Sequence, residues 1–374
     1  MTVFLDYGRQ RMNGIPHLRM TGYGADDKEL IITGSYTAPG QPGGIRIYEL
    51  DEKSGELTPL FEGGRDINPS FLAIRDGMIL GVSEVSRDSQ ITLYRWLEHE
   101  KRLLPVDHLH VPGASLCHIT PWPGTPYFTV SGYNSGSFLL CREEHGKLYL
   151  DREEFPGDDY FEPGFEGRIS HVHSTLLSPD NCFLYVADLG LDRIFCYGVH
   201  EQGGIKLLEK KRQIIFPWGE GPRHMAVSKD GKNLYVVTEL NNHVFTFSMD
   251  EERNAQQRQV LPAGHELFSQ EAAAGADIKI SDDGRCVYVS DRGPDTVTLF
   301  ARDRENGDLR HVKTYDSGGH WPRNICLSRS QRFLLAANER SGDLAVFARD
   351  PRTGVLKERV CSIHAQQISF AAPM

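Results

Sequence analysis

Residues 173–199 read HSTLLSPDNCFLYVADLGLDRIFCYGV, and this stretch decides the fold. It divides into a short apolar run, a turn, a second run rich in aromatic and β-branched residues, a loop, and a third run that alternates. The first strand is expected over His173–Ser178, the turn at Pro179-Asp180-Asn181, and the second strand over Phe183–Ala187. Arg193–Val199 makes the third, and Ile205–Ile215 the fourth after the Gly203-Gly204 turn. Asp and Asn suit the tight turn because they tolerate left-handed backbone and bond their own chain.

The phrase returns. RHMAVSKDGKNLYVVTELNNHVFTFSM begins at Arg223, DIKISDDGRCVYVSDRGPDTVTLFARD at Asp277, and RNICLSRSQRFLLAANERSGDLAVFARD at Arg323. Weaker copies start at Ser70 and Cys117, and a partial one, LIITGSYTAPGQPGGIRIYEL, starts at Leu30. The spacing of roughly 46 to 56 residues is that of propeller blades. About seven units of four strands predict an all-β chain, a seven-bladed β-propeller. The even period, without a Pro/Ser-rich or charged linker, predicts a single domain over residues 1–374. One terminus must complete a blade that the other begins, and both ends are candidates.

Composition narrows the partners. Lys+Arg number 41 and Asp+Glu 51 in 374 residues, a net charge of −10. That excess of acid argues against nucleic-acid binding, which needs a basic face. Apolar runs are far shorter than the roughly 20 residues of a spanning helix, so no membrane partner is expected. The first residues, MTVFLDYGRQRMNGIPHL, lack the pattern of a secretory signal. The seven cysteines form no CxxC pair and are odd in number, which predicts reduced thiols in a cytoplasmic protein.

Propeller geometry converts positions into places. The first strand of each blade lines the channel and runs away from one face; the second returns to it. Residues at the starts of first strands and the ends of second strands therefore converge on one mouth. The starts are Ser70, His118, His173, Arg223, Asp277 and Arg323. The ends are Glu84, Asn134, Asp188, Glu239, Asp291, Arg292 and Glu339. Ionisable groups recur at these corners, as in a binding or catalytic cleft. Histidine supplies a base near neutral pH, and arginine binds carboxylate or phosphate and steadies an oxyanion. Each has a plainer reading. Asp188, Asp291 and Glu339 suit loop caps, Arg323 a bridge between blades, and His118 and His171 structural rings. His224 and His243 are expected to face blade interiors or solvent. A Cys117–His118 catalytic pair is disfavoured because neighbours on a strand point to opposite faces. The His171-x-His173 spacing could ligate a metal, but no HExxH or carboxylate set accompanies it. No metal and no cofactor is expected.

The strings HVHSTLLSPDNCFLYVADLGLDR, GEGPRHMAVSKDGKNLYVVTEL, ADIKISDDGRCVYVSDRGPDTVTLF and WPRNICLSRSQRFLLAANERSGDLAVF resemble the seven-bladed propeller lactonase family. Its best-known members are 6-phosphogluconolactonases, and a fungal branch cyclises carboxy-muconate. The resemblance implies a lactone hydrolase acting on a small anionic lactone, 6-phosphoglucono-δ-lactone first. It implies a catalytic set of His173 (HVHS), Arg223 (GPRHM), Glu239 (VVTEL) and Arg292 (SDRG). His118, His171, Asp277 and Arg323 are the accompanying substrate-binding candidates. A muconate-type cycloisomerase and a non-enzymatic binding scaffold remain as alternatives at this stage.

Overall fold

The computed structural model describes residues 27–158, 167–202, 205–264 and 273–374. The segment MTVFLDYGRQRMNGIPHL, and with it the expectation about a secretory signal, lies outside them, as do Gly203 and Gly204. The described residues form 28 strands, β1 to β28 in chain order, in seven antiparallel sheets of four. Among them there is no α-helix, and no helix long and apolar enough to cross a membrane. The innermost strands are β4 (Leu72–Arg75), β8 (Leu116–Pro121), β12 (Val172–Leu177), β16 (Pro222–Val227), β20 (Ala274–Ile280), β24 (Pro322–Leu327) and β28 (Ile368–Pro373).

The ring closes through the C-terminal strand. β28 is hydrogen-bonded to β1 (Lys28–Ser35), and β2 (Ile45–Asp51) and β3 (Leu57–Gly63) finish that blade. Among the described residues, β1 thus takes the second position of a blade whose innermost strand is the C-terminal β28.

Side-chain alternation explains why the second strands read as unbroken apolar runs. In β13 (Phe183–Asp188), Leu184 and Val186 pack with Phe138 and Leu140 of the preceding blade. Tyr185 and Ala187 pack with Leu234, Val236 and Phe245 of the following blade. A strand buried on both faces has no polar side, and each buried aliphatic side chain adds about 1.5–3 kcal/mol. Outermost strands such as β27 (Leu356–His364) have one wet face and alternate.

The recurring turn is held in one way. In SPDN, Ser178 Oγ donates to Asp180 Oδ1 (2.5 Å) and accepts from Phe183 N (2.9 Å), while Cys182 N donates to the same carboxylate (3.1 Å). Ser228/Asp230 and Ser281/Asp283 repeat the pattern. The fourth residue has positive φ: Asn181 58°, Gly231 70°, Gly284 70°. Asparagine and glycine are the residues that take this conformation at least cost.

Candidate functional site

The site is made by β-bulges at the starts of the innermost strands. Val172 pairs with Asp188 and Ser174 with Ala187, so His173 is the extra residue. The same slip leaves Arg223 extra between Pro222 and His224, Arg323 between Pro322 and Asn324, and Cys117 between Leu116 and His118. Ser369 is the extra residue where β28 meets β1. A bulge turns its side chain out of the pleat. Here Cys117, His173, Arg223, Arg323 and Ser369 all line one narrow pocket in the channel, with Ser70, Phe71, Glu84, His224 and Asn324.

The ends of the second strands bring the counter-ions. Glu239 Oε2 accepts from Arg223 Nε at 2.8 Å and from Arg292 Nη2 at 2.9 Å. Arg292 also donates to the carbonyls of Ala274 (3.2 Å) and Gly275 (3.0 Å), and Arg223 Nη1 to that of Ala276. Both guanidiniums are buried, at 2% and 4% exposure. Burial alone would raise the Glu239 carboxyl, but Arg292 and Arg223 outweigh it and bring it to about 2. Burial and the like charge of Arg223 bring Arg292 down to about 10 against the pull of Glu239. Opposite them, Arg323 Nη1 lies 3.5 Å from Glu339 Oε2, and its Nη2 donates to Tyr36 Oη at 2.7 Å. Tyr36 donates in turn to Glu84 Oε2 at 2.9 Å. The pocket mouth therefore holds two arginine–carboxylate groups.

His173 is buried, and its Nδ1 has no hydrogen-bond partner among the described residues. Its ring meets the edges of Tyr133 (5.7 Å) and His224 (5.2 Å). Burial, then the charge of Arg223, push it well below the usual histidine range, so it is neutral at pH 7. The neutral ring keeps one hydrogen and can accept a second proton at its other nitrogen.

The other expected residues fall into two places. His118 follows the bulge at Cys117, and Asp277 lies within the irregular stretch between Gly275 and Ile278; neither lines the pocket. His118 packs tilted against Phe71 (4.4 Å) and edge-to-face with His224 (5.2 Å). Asp277 is 1% exposed and accepts from His224, Lys279 and Asn324. It does not reach the mouth. His171 lies flat on Tyr133 (4.4 Å) and donates from Nδ1 to the Tyr133 carbonyl (3.0 Å), outside the pocket lining. Arg323 does line the pocket. Asp188 and Asp291 are loop caps: Asp188 accepts from His171 N (2.9 Å) and Leu191 N (3.0 Å), and Asp291 from Ala274 N (3.0 Å). His243 bonds Glu220 (3.1 Å), but His224 lines the pocket instead of facing a blade interior or solvent. Cys117 donates its thiol to the His173 carbonyl (3.3 Å), and burial raises it further from ionisation, so it makes no pair with His118. Among the described residues no group of three or more His, Cys, Asp or Glu is gathered for a metal.

Tyr36 is the participant that the repeat did not flag. It follows β1 as Glu239 follows β17 (Asn233–Thr238), so the same position in the partial first unit would have found it.

A family model described as lactonase, 7-bladed beta-propeller, matches residues 30–372. The chain belongs to this lactonase family. A Bacillus subtilis protein named 6-phosphogluconolactonase is 28% identical over 327 residues, covering 86% of this chain and 92% of its own. A second of that name, from Formosa agariphila, is 28% identical over 338 residues, covering 88% and 94%. The solved structure of a periplasmic gluconolactonase from Pseudomonas aeruginosa superposes with a TM-score of 0.83 at 26% identity, covering 92% of this lactonase-family chain and 99% of that one.

Proposed function

We propose that the protein hydrolyses 6-phosphoglucono-δ-lactone to 6-phosphogluconate, the lactone step of the pentose phosphate pathway. The observation that carries this is His173, neutral and buried, in one pocket with Arg223, which Glu239 ties to Arg292. The relatives named 6-phosphogluconolactonase support the substrate. Water adds to the lactone carbonyl while His173 takes its proton. Arg223 and Arg292 hold the anionic group and steady the tetrahedral oxyanion. Collapse breaks the bond to the ring oxygen, and His173 returns the proton to that oxygen, leaving a carboxylate product after ionisation. Glu239 orients both arginines and offsets their mutual repulsion. Arg323, held by Tyr36 and Glu339, is the further substrate-binding cation. The seven unpaired cysteines support a reducing compartment such as the cytoplasm.

The test is release of 6-phosphogluconate from freshly made lactone, coupled to its dehydrogenase and read above spontaneous opening. Wild type gives a saturable rate, and His173→Ala lowers it by about 10²–10⁴. No wild-type rate above background overturns the substrate reading, and an unchanged variant removes the base.

A further inference from the structure

One buried pair beneath the mouth has no part in that chemistry. His224 Nδ1 lies 2.9 Å from Asp277 Oδ1. Asp277 also accepts from Lys279 Nζ (2.8 and 2.7 Å), Asn324 Nδ2 (2.7 Å), and the amides of Ile278 (2.9 Å) and Ile325 (3.1 Å). Lys279 and these amides are obligate donors, so Asp277 is an ionised acceptor and nothing more. Its bond to His224 therefore requires the hydrogen on Nδ1. Burial, then the charge of Arg223, bring His224 to about 4 against the pull of Asp277, so the ring carries one hydrogen only. Its Nε2 is then a lone pair. That atom is buried, has no partner among the described residues, and belongs to a ring lining the same pocket as His173.

His173 Nδ1 is in the same condition, and the two rings meet at 5.2 Å. A buried polar atom without a partner costs about 1–3 kcal/mol, and here two such nitrogens belong to neighbouring rings that line one pocket. A latch between blades does not need an imidazole here: at the same register after the bulge, the fourth blade carries Ser174 and the seventh Asn324.

We propose that Asp277 and His224 set the tautomer of His173. The chain of bonds runs from Asp277 to His224 Nδ1–H, and from His224 Nε2 through one water to the hydrogen on His173 Nδ1. The lone pair of His173, and with it the base, is thereby fixed on Nε2. His224 and Asp277 are positioning residues, as is the carboxylate behind a catalytic histidine. The inference rests on reading His173 as the base, but its first test does not use turnover.

Full-length protein labelled with ¹⁵N-histidine is examined at pH 7.5 by long-range ¹H–¹⁵N correlation. A free imidazole prefers hydrogen on Nε2, so the opposite tautomer must be imposed. His173 and His224 are both expected as Nδ1–H forms. In His224→Ala, and independently in Asp277→Asn, which keeps the ring, His173 moves toward the Nε2–H form. In both variants kcat for the lactone falls by about tenfold or more while KM stays within about twofold. An Nε2–H form of His173 in wild type overturns the proposal. So does an Nδ1–H form that persists in a folded variant, or an unchanged kcat in one. Absence of any wild-type hydrolysis, with the expected tautomers present, would instead count against the substrate reading alone.

Discussion

Arg223 Nε and Glu239 Oε2 lie 2.8 Å apart across adjacent strands, and the same oxygen takes Arg292 at 2.9 Å. Two buried guanidiniums are thus gathered on one carboxylate before any substrate arrives. Their positive charge is preorganised, and binding an anion requires little rearrangement.

Glu239→Gln keeps the shape and removes the charge. The two arginines then repel each other without a counter-ion. Breaking a buried pair from one side costs about 3–5 kcal/mol, and lost control of the oxyanion groups costs about 10²–10³ in kcat. Urea denaturation and steady-state kinetics on the same variant check both. A variant as stable and as fast as wild type would show that the arginines do not depend on Glu239.

The pH dependence of stability follows in sign. Glu239 sits at about 2 when folded, against 4.5 in the free chain. Its contribution is fully present above about pH 4.5 and is lost as pH falls toward 2. A displacement of that size is worth about 3 kcal/mol. Glu29 runs the other way. It is buried, and burial, with Glu52 adding, raises it to about 8 despite bonds from the Arg329 amide. The unfolded chain ionises first, so stability is lost as pH rises from 4.5 through 8. Glu29→Gln should therefore raise Tm at pH 8 and leave it nearly unchanged at pH 4.5. Thermal melts of Glu239→Gln should converge on wild type only below about pH 2.

Gly275 marks where two blades touch. A Cβ there would meet the Thr238 carbonyl oxygen at 2.3 Å and Val237 Cγ2 at 2.6 Å. The constraint is space, not backbone conformation. Its own carbonyl accepts from Arg292 at 3.0 Å, so a shift of β20 moves a site arginine. Gly275→Ala should cost about 1–3 kcal/mol from overpacking and lower activity with it. Denaturation midpoints beside kcat/KM test this, and a neutral alanine would mean that the blades slide freely here.

Much of this was legible in the repeat. The blade number, the strand order and the mouth residues His173, Arg223, Glu239 and Arg292 follow from strand positions that recur. The bulge was not legible. Arg223 and His224 are adjacent, and simple alternation would send one to the channel and one away. The extra residue in the register lets both line the pocket. Asp277 reads as a mouth residue in the sequence, but in the irregular stretch of β20 it is buried against His224, Lys279 and Asn324 and does not line the pocket. Caps such as Asp188 were ambiguous because a carboxylate at a strand end serves backbone amides and ligands equally well.

Ring closure was equally open from the sequence, and it gives the last prediction. β28 pairs with β1 from Ile31↔Pro373 to Ser35↔Ile368. It seats Phe370 against Phe71 at 4.5 Å and places Ser369 in the pocket, where its hydroxyl donates to the Ser70 carbonyl at 2.9 Å. The Ala371 amide donates to Asn324 Oδ1 at 2.9 Å, on the residue that also holds Asp277. A chain ending at Gln366 loses all of these and exposes the inner edge of β1. Loss of the closing strand should abolish cooperative unfolding, with loss of near-ultraviolet dichroism and binding of a hydrophobic dye. A synthetic peptide spanning residues 366–374, added in excess, should restore part of the native signal, because the edge it pairs with is already registered by β2. A truncated chain that melts cooperatively at the wild-type temperature would show that the first blade is held by its three remaining strands.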